Sequence, residues 1–197
     1  LNERYGKQGL RPFYLFHRRR QWNDNAAKWM GWERKRGKLE EFNALLRGSQ
    51  TTSYDLQHGD TDFDFERLKY VITLDADSYM PVGTAAKLVG ILAHPLNRPR
   101  FDKKTGSVTD GYTIIQPRLE TNPVSGADTV FSRIFAGDVL LDLYTNAVSD
   151  TYQDVFGEAI FAGKGIYDLD AFSRTLTGKV PENSVLSHDL LEGLYGR

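Results

Sequence analysis

The chain has 197 residues, 40% of them apolar and 26% charged, a formal net charge of -1 and no cysteine. That balance suits one domain with a sizeable core, excludes wholesale disorder, and gives no whole-chain field toward nucleic acid. The lack of cysteine excludes disulfides, thiolate metal sites and a cysteine nucleophile, and fits a reducing compartment. No apolar run reaches the roughly 20 residues that cross a bilayer and no signal peptide is recognisable, so a soluble chain is expected. It opens at Leu1 rather than methionine, as expected of a segment excised from a longer protein.

In chain order, Pro12–Phe16 reads as a short buried strand ending in His17-Arg18-Arg19-Arg20. Guanidinium groups match phosphate geometry, but a solvated charge run is the better reading for any one of the three arginines. Asn23 or Asp24 caps a predicted helix reaching Trp32. Leu39, Phe42, Leu45 and Leu46 follow at helical spacing, with Gly48 as the stop. Gly37 lies among cations at the start of that helix, where backbone N–H groups and the dipole favour an anion. Residues 49–66 are polar and aspartate-rich and read as an exposed loop.

The stretch Tyr70–Asp77 follows, an apolar run that reads as a buried strand with Asp75 and Asp77 at its carboxyl end. A helix begins at Met80-Pro81, with Ala85, Leu88, Val89 and Leu92 on one face, and ends near His94-Pro95. Residues 97–111 form a loop with a small hairpin around Lys104–Gly106. Tyr112–Gln116 is a strand stopped by Pro117. Val130–Tyr144 has near-helical apolar spacing weakened by Gly137, and its aromatics read as core. Ala159–Tyr167 is a strand containing a glycine-flanked turn, Ala171–Leu176 is helical, and Ser187 caps a last helix. This order argues for a three-layer α/β domain with a mostly parallel sheet.

The chemistry concentrates where the apolar run Tyr70-Val71-Ile72-Thr73-Leu74 meets Asp75 and Asp77. Alternate strand residues point the same way, so both carboxylates share a face if the extended geometry persists. Two hard oxygen ligands at a sheet edge suit Mg²⁺ or Mn²⁺ completed by water and phosphate. The competing reading is a strand running into a polar turn, where aspartate is common. The pair also fits a haloacid-dehalogenase-like phosphotransferase, with Asp75 as nucleophile and Asp77 as acid/base. That family places the pair on its first strand, whereas here it lies deep in the chain. A nucleotide-sugar glycosyltransferase needs a cation on the departing diphosphate, a base for the acceptor hydroxyl and a wall close to the sugar. Asp75 and Asp77, then Asp189, then Gly163-Lys164-Gly165 are candidates for the three. Asp189 at a helix start is favoured in its ionised form by the dipole, although first-turn aspartate is ordinary helix chemistry.

Longer stretches carry a resemblance. They include Pro12-Phe13-Tyr14-Leu15-Phe16-His17-Arg18, Trp29-Met30-Gly31-Trp32-Glu33-Arg34-Lys35-Arg36-Gly37-Lys38-Leu39, Thr73-Leu74-Asp75-Ala76-Asp77 and Ala93-His94-Pro95-Leu96-Asn97-Arg98-Pro99. Others are Gln116-Pro117-Arg118, Tyr144-Thr145-Asn146-Ala147-Val148-Ser149-Asp150, Phe161-Ala162-Gly163-Lys164-Gly165-Ile166-Tyr167-Asp168 and Leu186-Ser187-His188-Asp189-Leu190-Leu191-Glu192-Gly193. Over nearly its whole length the chain resembles the glycosyltransferase segment of cyclic β-1,2-glucan synthases, very large bacterial membrane proteins.

The resemblance implies a GT-A fold, a UDP-glucose donor, a growing β-glucan acceptor and inverting transfer. It implies that Asp75 and Asp77 hold the metal and diphosphate, with Arg36 and Lys38 as weaker diphosphate contacts. Gly163, Lys164, Gly165 and His188 would line the acceptor side, and Asp189 would be the base. His188 stands where the wider class of processive enzymes usually has glutamate. The first nucleotide-binding βα unit of such a fold is not recognised in the chain, nor is the downstream Arg-Trp motif. The isolated chain is therefore expected to be weak or inactive, as part of a parent with flanking membrane and glucan-processing domains at the cytoplasmic face of the inner membrane. A non-catalytic glucan-binding segment is the remaining alternative.

Overall fold

The structure is a computed structural model, and it describes residues 1–7, 11–60, 63–119, 128–135, 155–156, 161–184 and 188–196. The chain divides into two compact units, Leu1–Lys69 with Val180–His188, and Tyr70–Lys179 with Asp189–Arg197.

The first unit opens with a single helical turn, α1 (Asn2–Tyr5), followed by β1 (Leu15–Arg18). β1 pairs antiparallel with β4 (Tyr54–His58), setting Phe16 opposite Leu56 and Arg18 opposite Tyr54. The expected buried strand is therefore a half-exposed one: Leu15 is 54% exposed, because only one face of this two-stranded ribbon is covered. The segment expected to be an acidic loop supplies β4. Thr52 Oγ1 accepts from the Tyr54 N–H at 3.1 Å, while the Ser53 and Tyr54 hydroxyls reach the Glu41 carboxylate and the Lys38 carbonyl.

The helix expected to reach Trp32 is instead a hairpin of β2 (Gln21–Asn23) and β3 (Lys28–Met30). Asn23 and Asp24 do hydrogen-bond locally as helix-capping residues do, but around a turn. Asn23 Oδ1 accepts from the Ala26 N–H at 2.8 Å, and Asp24 Oδ1 accepts from the Trp22 indole at 2.9 Å. Trp22 and Trp29 face each other across the strands with ring centroids 6.0 Å apart, the sort of cross-strand pair that favours a ribbon.

α2 (Arg34–Leu46) forms as its periodicity predicts and stops at Gly48, which takes φ +80°. Leu46 is buried, and Phe42 packs edge-on to Phe16, 5.4 Å between centroids, and near Tyr54. Phe65, Tyr14 and Phe63 extend this aromatic cluster, which is the core of the unit. Arg18 enters the same core. Its Nε donates to Glu41 Oε2 at 2.7 Å, and its two terminal nitrogens donate to the carbonyls of Arg34 and Trp32 at 3.0 and 2.5 Å. Arg19 remains at the surface, 3.5 Å from Asp55.

The second unit is built on β5 (Tyr70–Thr73), β8 (Ile114–Ile115) and β9 (Gly165–Asp168), in the order β5-β9-β8. Among the described residues every ladder in the molecule is antiparallel. β5 and β8 nonetheless run in the same direction, since both oppose β9, and α3 (Thr84–Ala93) lies in the crossover between them. Leu88 and Leu92 of α3 pack with Ile166, which is completely buried, and with Ile72 and Ile115. Val89 turns off that face and is 37% exposed. On β9 the next residue, Tyr167, points the other way and packs at a tilt against Phe172 of α5 (Leu169–Leu176), 4.6 Å between centroids. α6 (Asp189–Gly196) ends against Thr113, whose N–H donates to the Gly196 carbonyl at 3.1 Å.

The hairpin expected near Lys104–Gly106 is present as β6 (Arg100–Phe101) and β7 (Val108–Asp110). α4 (Val130–Phe135) starts as expected, but Val130, Phe131 and Ile134 are 67%, 72% and 67% exposed rather than core. The continuation of that helix to Tyr144, the strand start at Ala159-Ile160 and the Ser187 cap lie outside the described residues.

Burial alone would raise the Glu41 carboxyl. The Ser53 N–H and hydroxyl and the Arg18 guanidinium outweigh it and hold Glu41 below the ordinary 4.5. A depressed carboxyl stabilises the fold above its unfolded value and loses that contribution as pH falls toward the folded one. The first unit should therefore weaken as pH drops below about 4.5. Glu41→Ala, which leaves Arg18 buried without its carboxylate, should cost about 3 kcal/mol in urea unfolding at neutral pH and flatten that acid dependence.

Candidate functional site

β5 ends at Thr73, and the chain then turns, with the Ser78 N–H donating to the Asp75 carbonyl at 3.0 Å. The extended geometry does not persist through Asp77. The two carboxylates are presented by a turn beyond the strand, Asp75 half-buried and Asp77 exposed.

What meets Asp75 is the start of β9. The ladder ends with Thr73 opposite Gly165, so the turn that carries Asp75 leaves β5 beside the residue, Lys164, that precedes β9. The Lys164 Nζ lies 3.0 Å from Asp75 Oδ2. The glycines on either side locate the lysine. Gly163 takes φ +71°, a conformation that side chains resist. Gly165 is pressed so closely onto β8 that a Cβ would strike the Ile115 carbonyl and the Phe161 ring. Just upstream, the Ala162 N–H donates to Gln116 Oε1 at 2.6 Å, tying the turn to the end of β8. The paired side chains keep 28% and 39% of their exposure, so the ion pair is worth roughly 0–1 kcal/mol and can exchange partners.

A second group stands at the start of α6. His188, Asp189 and Glu192 bring one ligand atom each to within 4.8 Å of one another. The grouping is set by one turn of helix, since residues three and four apart share a face. His188 and Glu192 are 8% and 3% exposed. Glu192 was not among the residues singled out from sequence, although the 188/189/192 spacing was there to be read. Chemically the group offers a carboxylate base whose neighbours are an imidazole and a second carboxylate.

The chain is 47% identical over 198 residues to the cyclic beta-(1,2)-glucan synthase NdvB of Rhizobium meliloti (strain 1021). The match takes in 100% of this chain and 7% of that protein. No family model matches the chain.

The remaining sequence-derived candidates are in the first unit. Arg36 is buried between Glu33, at 2.9 Å, and Glu40, at 2.7 Å. Gly37 is covered by Trp32, whose carbonyl and ring would block even a Cβ, so no anion approaches the backbone there. Lys38 is exposed, and its carbonyl accepts from the Tyr54 hydroxyl at 2.9 Å. The donor set at Asp75 and Asp77 fits a hard divalent ion. It consists of two carboxylates, one already holding a cationic group and the other open to water, as an ion that keeps part of its hydration requires.

Gly165→Ala should force β8 and β9 apart and cost about 2 kcal/mol or more in thermal unfolding. Gly178→Ala, at φ +71° with nothing within 4 Å of the added methyl, should lose only about 1 kcal/mol, from backbone strain.

Proposed function

We propose that this chain is part of a glucosyltransferase in cyclic β-glucan synthesis. The observation that carries this reading is the full-length 47% identity to the R. meliloti synthase. The reaction is transfer of glucose from UDP-glucose to a hydroxyl of a growing β-1,2-glucan, with inversion. The domain is GT-A-like, a reading supported by the β5–α3–β8 crossover with helices on both sheet faces. The protein at the length of its relative would be membrane-associated. No helix among the described residues is long and apolar enough to cross a membrane.

In this reading Asp75 and Asp77 hold Mg²⁺ or Mn²⁺. Bound there, the ion neutralises charge on the departing diphosphate. Asp189 accepts the proton of the attacking hydroxyl as the new C1–O bond forms and the C1–phosphate bond breaks, releasing UDP. On the acceptor side, the turn before β9 presents the Lys164 side chain, while Gly163 and Gly165 are buried and hold that turn in place.

The test is UDP-glucose turnover by the protein that carries this chain at the length of its relative. Asp189→Asn should lower kcat about 10²- to 10⁴-fold with little change in KM for UDP-glucose. Asp75→Asn should raise the Mn²⁺ concentration needed for half-maximal rate. Wild-type turnover by the Asp189→Asn variant would remove the base assignment, and phosphate release from simple esters without UDP-glucose consumption would replace the reading with a phosphotransferase.

A further inference from the structure

We propose that Lys164 is an exchangeable counter-ion, which occupies Asp75 while the divalent cation is away and moves to the donor diphosphate once the cation arrives. The proposal deepens the donor-site reading above and rests on it. Its ground is the geometry of the pair. Lys164 Nζ sits 3.0 Å from the carboxylate that the cation would need, and both groups are open enough to water for the contact to break.

The backbone of Lys164 is fixed by its two glycines and by the neighbouring Gln116–Ala162 bond, while its ammonium ends a flexible four-carbon stem. One end of the residue is held and the other is free to swing. The formal charges follow the same logic. Two carboxylates and one ammonium leave the cluster one charge negative, which repels a diphosphate. A divalent ion makes it one charge positive, and the displaced ammonium is then a cation with an anion to seek. A lysine that merely braced the sheet end would compete with the metal but would give nothing to the nucleotide.

The experiment uses the protein that carries this chain at the length of its relative and two probes, Mn²⁺ followed by the free-ion EPR signal, and UDP titrated calorimetrically at saturating Mn²⁺. Lys164→Met should bind Mn²⁺ alone about threefold to tenfold more tightly, because its competitor is gone. The same variant should bind UDP with Mn²⁺ about tenfold more weakly. Lys164→Arg, which keeps the charge, should stay within about twofold of wild type in both titrations. These opposite shifts support the proposal. Unchanged Mn²⁺ affinity in Lys164→Met overturns it, and so does tighter Mn²⁺ binding with UDP affinity undiminished. Asp75→Asn separates the two readings. If it abolishes Mn²⁺ binding while Lys164→Met changes nothing, only the counter-ion role falls. If Mn²⁺ binding is absent from wild type or survives Asp75→Asn, the donor-site reading falls with it.

Discussion

Ile166 is completely buried between Ile72 and Ile115, with α3 packed over it, and this one side chain sets the register of three strands. A slip of one residue would turn Ile166 away from α3 and bring Tyr167 to that face, exchanging the two layers of the core. The pairing that the core enforces ends with Thr73 opposite Gly165, which brings the turn after β5 beside the turn before β9 although they are far apart in sequence, and there the Asp75 carboxylate and the Lys164 ammonium meet. Gly165 tightens the same constraint from the β8 side.

Charge is used in two different ways in this chain, and burial separates them. Arg18 and Glu41 keep 10% and 12% of their side-chain exposure, and around them the Ser53 hydroxyl and N–H and two backbone carbonyls satisfy the remaining polar atoms. A pair taken so far out of water cannot open without stranding a charge, and it therefore acts as a fixed part of the fold. Arg36, held between Glu33 and Glu40, belongs to the same group. Lys164 and Asp75 retain two to three times that exposure, and water compensates each when they part. The first kind of pair specifies structure; the second can take part in a binding cycle.

The parts of the fold legible in the sequence were those set by long apolar periodicity. α2 and α3 formed where their spacing put them, and β5, the β6–β7 hairpin and the Gly163–Gly165 turn were found close to their predicted places. The misreadings came from short segments whose signal has two meanings. Asn23 and Asp24 satisfy a backbone N–H and an indole N–H in a hairpin turn as well as they would cap a helix, and the cross-strand tryptophans decide for the hairpin. The arginine run reads as solvated charge, which holds for Arg19, but the helix that follows brings Glu41 to a largely buried Arg18, a tertiary contact that no local pattern announces. At the site, the Asp-x-Asp spacing was visible but its geometry was not. Whether two residues beyond a strand remain extended depends on the turn hydrogen bond from Ser78, and the partner of Asp75 comes from another strand altogether. Glu192 was overlooked because attention to the adjacent His188 and Asp189 ignored the helical spacing that brings a third side chain to them.

Moving Asp75 and Asp77 off the strand and into a turn has a physical consequence of its own. On a strand their separation and direction would be fixed by the pleat, and the spacing of a bound ion with them. In the turn only Asp75 is constrained, by its own carbonyl's bond to Ser78 and by the ammonium on its carboxylate, while Asp77 stays in water. For the proposed metal this is a half-built arrangement. One carboxylate is kept at a defined place by a cation that is easily replaced, and the other is left to close on whatever arrives. Small hydrated divalent ions give up their water reluctantly, so an exposed second ligand that needs no desolvation lowers the barrier to entry. The rigid element is the buried ladder beneath, and the adaptable elements are the turn and the lysine stem above it.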